Sequence, residues 1–158
     1  MFDTFTTIIA LIAVGIAIMV AIELRAPSKL GKFSGKAYVI DGDTLAFGNT
    51  RVRIFGIDAP EMSQQQGPVS REYLAAMLAN REIVVRPISK DRYGRIVARV
   101  SMPDGTDIGK AMVAQGYALA YTRYGRDYAA TERRARKSRA GIWASGTIQN
   151  GSDWRRTR

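Results

Sequence analysis

The chain has 158 residues, a formal net charge of +10, no cysteine and no histidine, which fits one modest domain with appendages. Disulfides, thiolate catalysis, a histidine base and soft metal sites are thereby excluded. Any bound metal must be hard and oxygen-ligated, with calcium or magnesium the first candidates. The charge belongs to the body, where residues 36–158 carry 21 basic against 12 acidic side chains, so the expected partner is a phosphate polymer or anionic lipid.

Thr4 to Ile22 holds no charged residue and is apolar all round, close to the roughly 20 residues a membrane helix needs. Asp3 and the lack of a basic leader argue for an uncleaved anchor over residues 1–23 rather than a signal peptide. Arg25, Lys29, Lys32 and Lys36 follow it, which by the positive-inside rule would leave the body in the cytoplasm. Residues 24–34 read as a short basic linker.

The body, residues 35–145, opens with strands over Ala37–Ile40 and Thr44–Phe47 around the turn Asp41-Gly42-Asp43. Gly48-Asn49-Thr50 is a hairpin signal. Arg51–Ile57 alternates, with Val52, Ile54 and Gly56 on one face, and Asp58-Ala59-Pro60 ends that strand. Gln64–Pro68 reads as a polar loop and Ser70–Leu78 as a helix. Ile83–Arg86 and Ile96–Val100 are strands flanking the turn Asp91–Gly94. Helices follow over Ile108–Gln115, capped by Gly116, and over Ala129–Arg139, ended by Gly141. Residues 146–158 read as a loose basic tail. The pattern predicts a mainly β fold with helices: a five-stranded barrel of the oligonucleotide-binding (OB) type plus three helices, preceded by one N-terminal transmembrane helix.

Within this frame, acidic residues concentrate at Asp41, Asp43, Asp58 and Glu61 in an otherwise basic chain. A phosphodiester resists hydrolysis because its negative charge repels nucleophiles, and a divalent cation screens that charge. Asp43 and Asp58, at the ends of neighbouring strands, can hold one hard cation, with the Ala59 carbonyl as a further ligand. Glu61, just past a proline, can accept a proton from water. Arg53 and Arg95 offer planar donor forks that match phosphate oxygens.

Val39-Ile40-Asp41-Gly42-Asp43-Thr44, Arg53 through Glu61, Asp91-Arg92-Tyr93-Gly94-Arg95 and Gly141-Ile142-Trp143 resemble the staphylococcal nuclease (thermonuclease) family. The likeness spans about Gly35 to Ala144. It implies a calcium-dependent nuclease that acts on DNA and RNA, cuts the 5′ P–O bond and leaves 3′-phosphate ends. In that family Asp43, Asp58 and the Ala59 carbonyl fall on calcium-ligand positions, and Arg53, Glu61 and Arg95 on catalytic ones. Tyr93 and Tyr121 fall on positions lining the nucleotide pocket. Ala59 replaces a threonine, the loop after Glu61 is shorter, and Arg123 with Tyr124 stands where a second pocket tyrosine is expected.

Two other readings compete with catalysis. The same barrel occurs in interaction modules, but these lose carboxylates or arginines, and all five side chains are present here. A lipid-surface domain would use the basic helix Ala129–Arg139 and leave the acidic cluster unexplained. The resulting expectation is a membrane-tethered, monomeric nuclease whose catalytic domain faces away from the cytoplasm, because an unrestrained nuclease beside the chromosome would be hazardous.

Overall fold

The computed structural model describes residues 31–123, 125–146 and 151–156. Eight strands follow in order: β1 Phe33–Gly35, β2 Tyr38–Val39, β3 Thr44–Phe47, β4 Thr50–Ile54, β5 Ile57–Asp58, β6 Ile83–Lys90, β7 Ile96–Ser101 and β8 Leu119–Ala120. Among the described residues four α-helices accompany them: α1 Gly67–Leu78, α2 Ile108–Ala114, α3 Ala129–Lys137 and α4 Gly151–Arg156, with a 3₁₀ turn at Gly141–Ser145. The transmembrane helix expected over residues 1–23 and most of the linker lie outside the described residues. Among the described residues no helix is long and apolar enough to cross a membrane.

Six strands form one sheet in the order β1-β6-β7-β4-β3-β2. Its pairs are antiparallel except β4 with β7, which run parallel from Val52↔Ile96 to Ile54↔Ala98. The two edge strands, β1 and β2, are separated in the chain only by Lys36 and Ala37. Two residues span so little that the sheet must curl to bring its two edges near each other. Counted as one bent strand, β1 and β2 bring the number to the expected five. The result is a mainly β sheet with helices, consistent with OB-type closure.

Hydrophobic alternation sets the inner face. Leu45, Val52, Ile54, Ile83, Val85, Ala98 and Val100 are all buried, and Leu74 of α1 and Ile108, Met112 and Val113 of α2 cover them. Each such aliphatic side chain larger than alanine contributes about 2 kcal/mol of burial. A second cluster of Leu119, Ala135, Ile142 and Trp143 fastens α3 and the 3₁₀ turn to β8.

Four expectations change. Arg51–Ile57 is not one strand: it breaks at Phe55-Gly56, where Gly56 takes φ +79° and a Cβ would meet the Tyr128 ring at 2.8 Å. β5 then leaves the main sheet to pair with β8, Asp58 opposite Leu119. The linker ends early, because Phe33 packs edge-on against Phe47 at 5.2 Å and starts β1. Gln64–Pro68 is only partly loop, since α1 begins at Gly67 with Pro68 in its first turn, where the missing N–H costs nothing. The tail is not loose throughout. Residues 151–156 form α4, and Trp154 Nε1 donates to Ser63 Oγ at 3.1 Å.

Candidate active site

The site grows from the turn between β2 and β3. Asp41 Oδ1 accepts from the Asp43 N–H at 2.9 Å, which closes the turn. Gly42 is required by close approach: a Cβ there would fall 2.0 Å from Ser70 Oγ and 2.6 Å from Ala59 Cβ. The turn therefore lies flat between α1 and the residue that follows β5.

Arg53 of β4 holds the centre together. In the β3–β4 register it stands opposite Thr44, next to Asp43. Its Nη1 donates to both Asp43 oxygens at 2.7 Å, and its Nη2 donates to Asp58 Oδ1 at 3.0 Å and to the Ile57 carbonyl at 3.2 Å. The side chains of Arg53, Asp43 and Asp58 are only 13%, 6% and 2% exposed. Burial works against the Arg53 charge, but Asp43 and Asp58 outweigh it and hold its pKa above the ordinary value. Burial first, and then the Asp43 carboxylate, push Asp41 up to about 6, against the hydrogen bond from Asp43 N–H. The Ala59 N–H donates to Asp43 Oδ2 at 3.2 Å, which ties the chain after β5 to the same carboxylate.

Arg95 joins through Thr44. Thr44 Oγ1 donates to Asp43 Oδ1 at 2.9 Å and accepts from Arg95 Nη1 at 3.4 Å. Arg95 is braced by Asp91 Oδ2, 2.8 Å from its Nε. Burial would raise the Asp91 pKa, but hydrogen bonds from Arg95 and Tyr93 hold it below the usual carboxylate value.

Of the residues expected from the sequence, Asp43, Asp58, Ala59, Arg53 and Arg95 thus fall into one hydrogen-bonded network. Glu61 stands two residues beyond Ala59. Its N–H donates to Gln64 Oε1 at 2.6 Å, and the Gln64 N–H donates back to its carbonyl at 2.8 Å. Gly67 packs on the same backbone, where a Cβ would sit 1.9 Å from the Glu61 oxygen. Tyr121 follows β8 and donates its N–H to the Gly56 carbonyl at 2.9 Å, beside the β5 strand that carries Asp58. Tyr93 joins the network only through its backbone N–H, which donates to Asp91 Oδ1 at 2.9 Å. The residue is 66% exposed on the β6–β7 turn, with Arg92 and Arg95 4.8 and 5.5 Å from its ring centroid.

Sequence reasoning missed three supports. Thr44 relays between Asp43 and Arg95, Gln64 clasps Glu61, and the Ser152 N–H at the start of α4 donates to Asp58 Oδ2 at 2.8 Å. Thr44 is visible as the residue closing the Asp-Gly-Asp-Thr run. The other two carry no local signal.

Among the described residues no three His, Cys, Asp or Glu side chains gather into a ready metal cage. The donor set is two buried carboxylates that share one guanidinium, with Asp41 adding charge nearby. Such a centre carries excess negative charge and offers only oxygen. It fits a hard cation that completes its shell with backbone carbonyl and water, and it does not fit a soft one.

A mainly β half-barrel sheet, consistent with the oligonucleotide-binding type, with a buried acid–guanidinium centre on one turn defines the class. Residues 51–145 match the family described as staphylococcal nuclease homologue, and the chain belongs to that nuclease family. It is 34% identical over 164 residues to a micrococcal nuclease of Shigella flexneri, covering 93% of this chain and 92% of the relative. An uncharacterized endonuclease of Escherichia coli is 34% identical over 112 residues, with 67% and 73% of the two chains covered. One from Haemophilus influenzae is 36% identical over 125 residues, covering 75% and 70%.

Proposed function

We propose that the protein is a calcium-dependent nuclease that hydrolyses phosphodiester bonds of DNA and RNA to 3′-phosphate ends. The observation that carries this reading is the convergence of Asp43 and Asp58 on Arg53, with Arg95 reaching the same carboxylate through Thr44. Asp43, Asp58 and the Ala59 carbonyl would hold the cation. When bound, calcium supplies screening of the phosphate charge and polarisation of a phosphoryl oxygen.

The remaining chemistry falls to the chain. Glu61 accepts a proton from the attacking water, whose oxygen bonds to phosphorus as the P–O5′ bond breaks. The electrons of that bond leave on the 5′ oxygen, which takes a proton from solvent. Arg53 and Arg95 donate to the equatorial oxygens, where charge accumulates in the five-coordinate transition state. Tyr93 and Tyr121 line the nucleotide. We further infer that residues 1–23 anchor the protein in a membrane, with the nuclease body extracytoplasmic. The length and apolar character of that segment support the anchor.

The test is cleavage of single-stranded DNA in calcium, magnesium or chelator, with Glu61→Gln and Arg95→Ala as paired variants. Cutting that needs calcium and falls at least a hundredfold in both variants is expected. Salt-sensitive binding without cutting would make the chain an interaction module. Variants that cut at the wild-type rate would remove the site assignment.

A further inference from the structure

A second feature lies on the other side of the Asp41 turn. Between β2 and α1 runs a groove of about 280 Å³ lined by Lys36, Arg71 and Arg81, by Tyr38, and by Leu78 at its floor, with no carboxylate in its lining. Three cations gather around this one open groove. Arg81 also lies close enough to Asp104 to help the Thr106 N–H hold that carboxyl below its usual value, while Lys36 and Arg71 have no acid in the lining.

The groove also has a built platform. Tyr38 is 66% exposed. Arg71 crosses beside it, with Nη2 donating to the Tyr38 hydroxyl at 3.2 Å, Nε donating to the Val39 carbonyl at 3.3 Å, and its guanidinium carbon 5.8 Å from the ring centroid. A positively charged channel beside an exposed aromatic ring is the combination that tracks a single-stranded backbone and stacks its bases.

Its position connects it to the reaction centre. β2 ends at Val39, two residues before Asp41, and Ser70, the neighbour of Arg71 on α1, touches Gly42 of the acidic turn. From Arg71 the groove follows α1 to Ala79, a rise of about 12 Å.

We propose that this groove is a nucleic-acid subsite: a single-stranded segment of the substrate leaves the reaction centre along it. Lys36, Arg71 and Arg81 meet its phosphates and Tyr38 stacks on a base. The proposal rests on the nuclease reading above and extends it to residues outside the acid–guanidinium centre. An anionic membrane surface is the other polyanion that this charge would attract, but it would leave the exposed ring beside the channel without a role.

The experiment measures binding of single-stranded oligothymidylate to the full-length Glu61→Gln chain in chelator, by fluorescence anisotropy across a salt series. Each phosphate contact on a single strand contributes a slope of roughly −0.7 in log K against log salt. Adding Lys36→Gln and Arg81→Gln together should make the slope shallower by about 1.4. Tyr38→Ala should weaken binding about tenfold or more with the slope unchanged, because it removes stacking and no charge. Unchanged melting temperatures exclude misfolding as the cause.

If the parent binds and the groove variants bind with the same affinity and slope, the groove proposal fails while the nuclease reading stands. If the variants keep oligothymidylate binding but lose binding to phosphatidylglycerol–phosphatidylcholine vesicles, the occupant is lipid and the proposal is overturned. A parent that binds oligothymidylate neither in chelator nor in calcium removes the nucleic-acid reading itself, and the subsite with it.

Discussion

Replacing Arg53 with methionine tests how the centre is held together. The variant keeps a stem of similar volume and deletes the guanidinium that bridges Asp43 and Asp58. All three side chains are at least 87% buried by the exposures given above, so water screens the loss poorly. Removing one partner of a buried ion pair costs about 3–5 kcal/mol, because the other charge is left uncompensated. Two carboxylates lose their shared counter-charge here but keep donors at Thr44, Ala59 and Ser152. A loss of about 3 kcal/mol is therefore expected, equivalent to roughly 12 °C in Tm at about 4 °C per kcal/mol. Calcium should then act as the missing counter-charge. At a hundredfold over its dissociation constant it returns about 2.7 kcal/mol, and it should bind the variant more tightly than the wild type, since the guanidinium no longer competes for the same oxygens. Urea denaturation in chelator and in calcium, with calorimetric titration, measures both effects. A loss below about 1 kcal/mol in chelator, or calcium stabilising the wild type more than the variant, would refute the reasoning.

Two further changes probe the supports. Gly67→Ala puts a methyl 1.9 Å from the Glu61 carbonyl oxygen. It should cost about 1–3 kcal/mol by overpacking and slow turnover by roughly a hundredfold by displacing Glu61; wild-type turnover in a folded variant would sink this. Tyr128→Phe removes a hydroxyl that donates to Asp107 at 2.8 Å, for a loss of about 1.5–3 kcal/mol near neutral pH. Burial first, and then Asp107, raise the Tyr128 pKa well above its ordinary value. Its stabilisation is therefore complete below about pH 10 and is lost as pH rises toward the folded-state value. The stability gap between wild type and variant should narrow above pH 10, and a constant gap in denaturation midpoints would count against it.

Much of this architecture was legible because its determinants are local. The β3–β4 hairpin follows from Gly48-Asn49 between alternating strands, and the β6–β7 turn from Asp91 with Gly94. What escaped depends on contacts remote in sequence. The break at Gly56 is set by the Tyr128 ring, about seventy residues on, and α4 is seated by bonds to Ser63 and Asp58 that bridge more than ninety residues. The bend between β1 and β2 is a closure effect of the whole sheet, so a pattern read along one strand could not reveal it. The closeness of Asp43 to Arg53 follows from the hairpin register, which sets Thr44 opposite Arg53. The bridge from Arg53 to Asp58 was not legible, since Arg53 was expected to meet phosphate and β5 leaves the main sheet. Nor was the Gln64 clasp, since a glutamine in a polar loop has the same appearance whether or not it holds a neighbour.

The two arginines of the site are restrained in different ways, and the difference bears on how the centre can respond to a ligand. Arg53 gives both Nη nitrogens to Asp43, Asp58 and the Ile57 carbonyl, so those donors are already committed. Arg95 is held firmly only at Nε, by Asp91, and its Nη1 reaches Thr44 at 3.4 Å, the longest bond of the network. Thr44 in turn donates to the Asp43 oxygen that Arg53 also shares. A cation that draws on Asp43 competes with both Arg53 and Thr44 for that carboxylate. Under the proposed function, metal binding would loosen the hold on one guanidinium and shift the hydroxyl that orients the other. The side chains that need free donors for a phosphate are therefore coupled to the carboxylates that take the metal, and the coupling runs through Asp43 more than through Asp58. Asp43→Asn should for that reason impair both metal affinity and the placement of Arg95, whereas Asp58→Asn should impair metal affinity and the hold on Arg53 while leaving Arg95 in place.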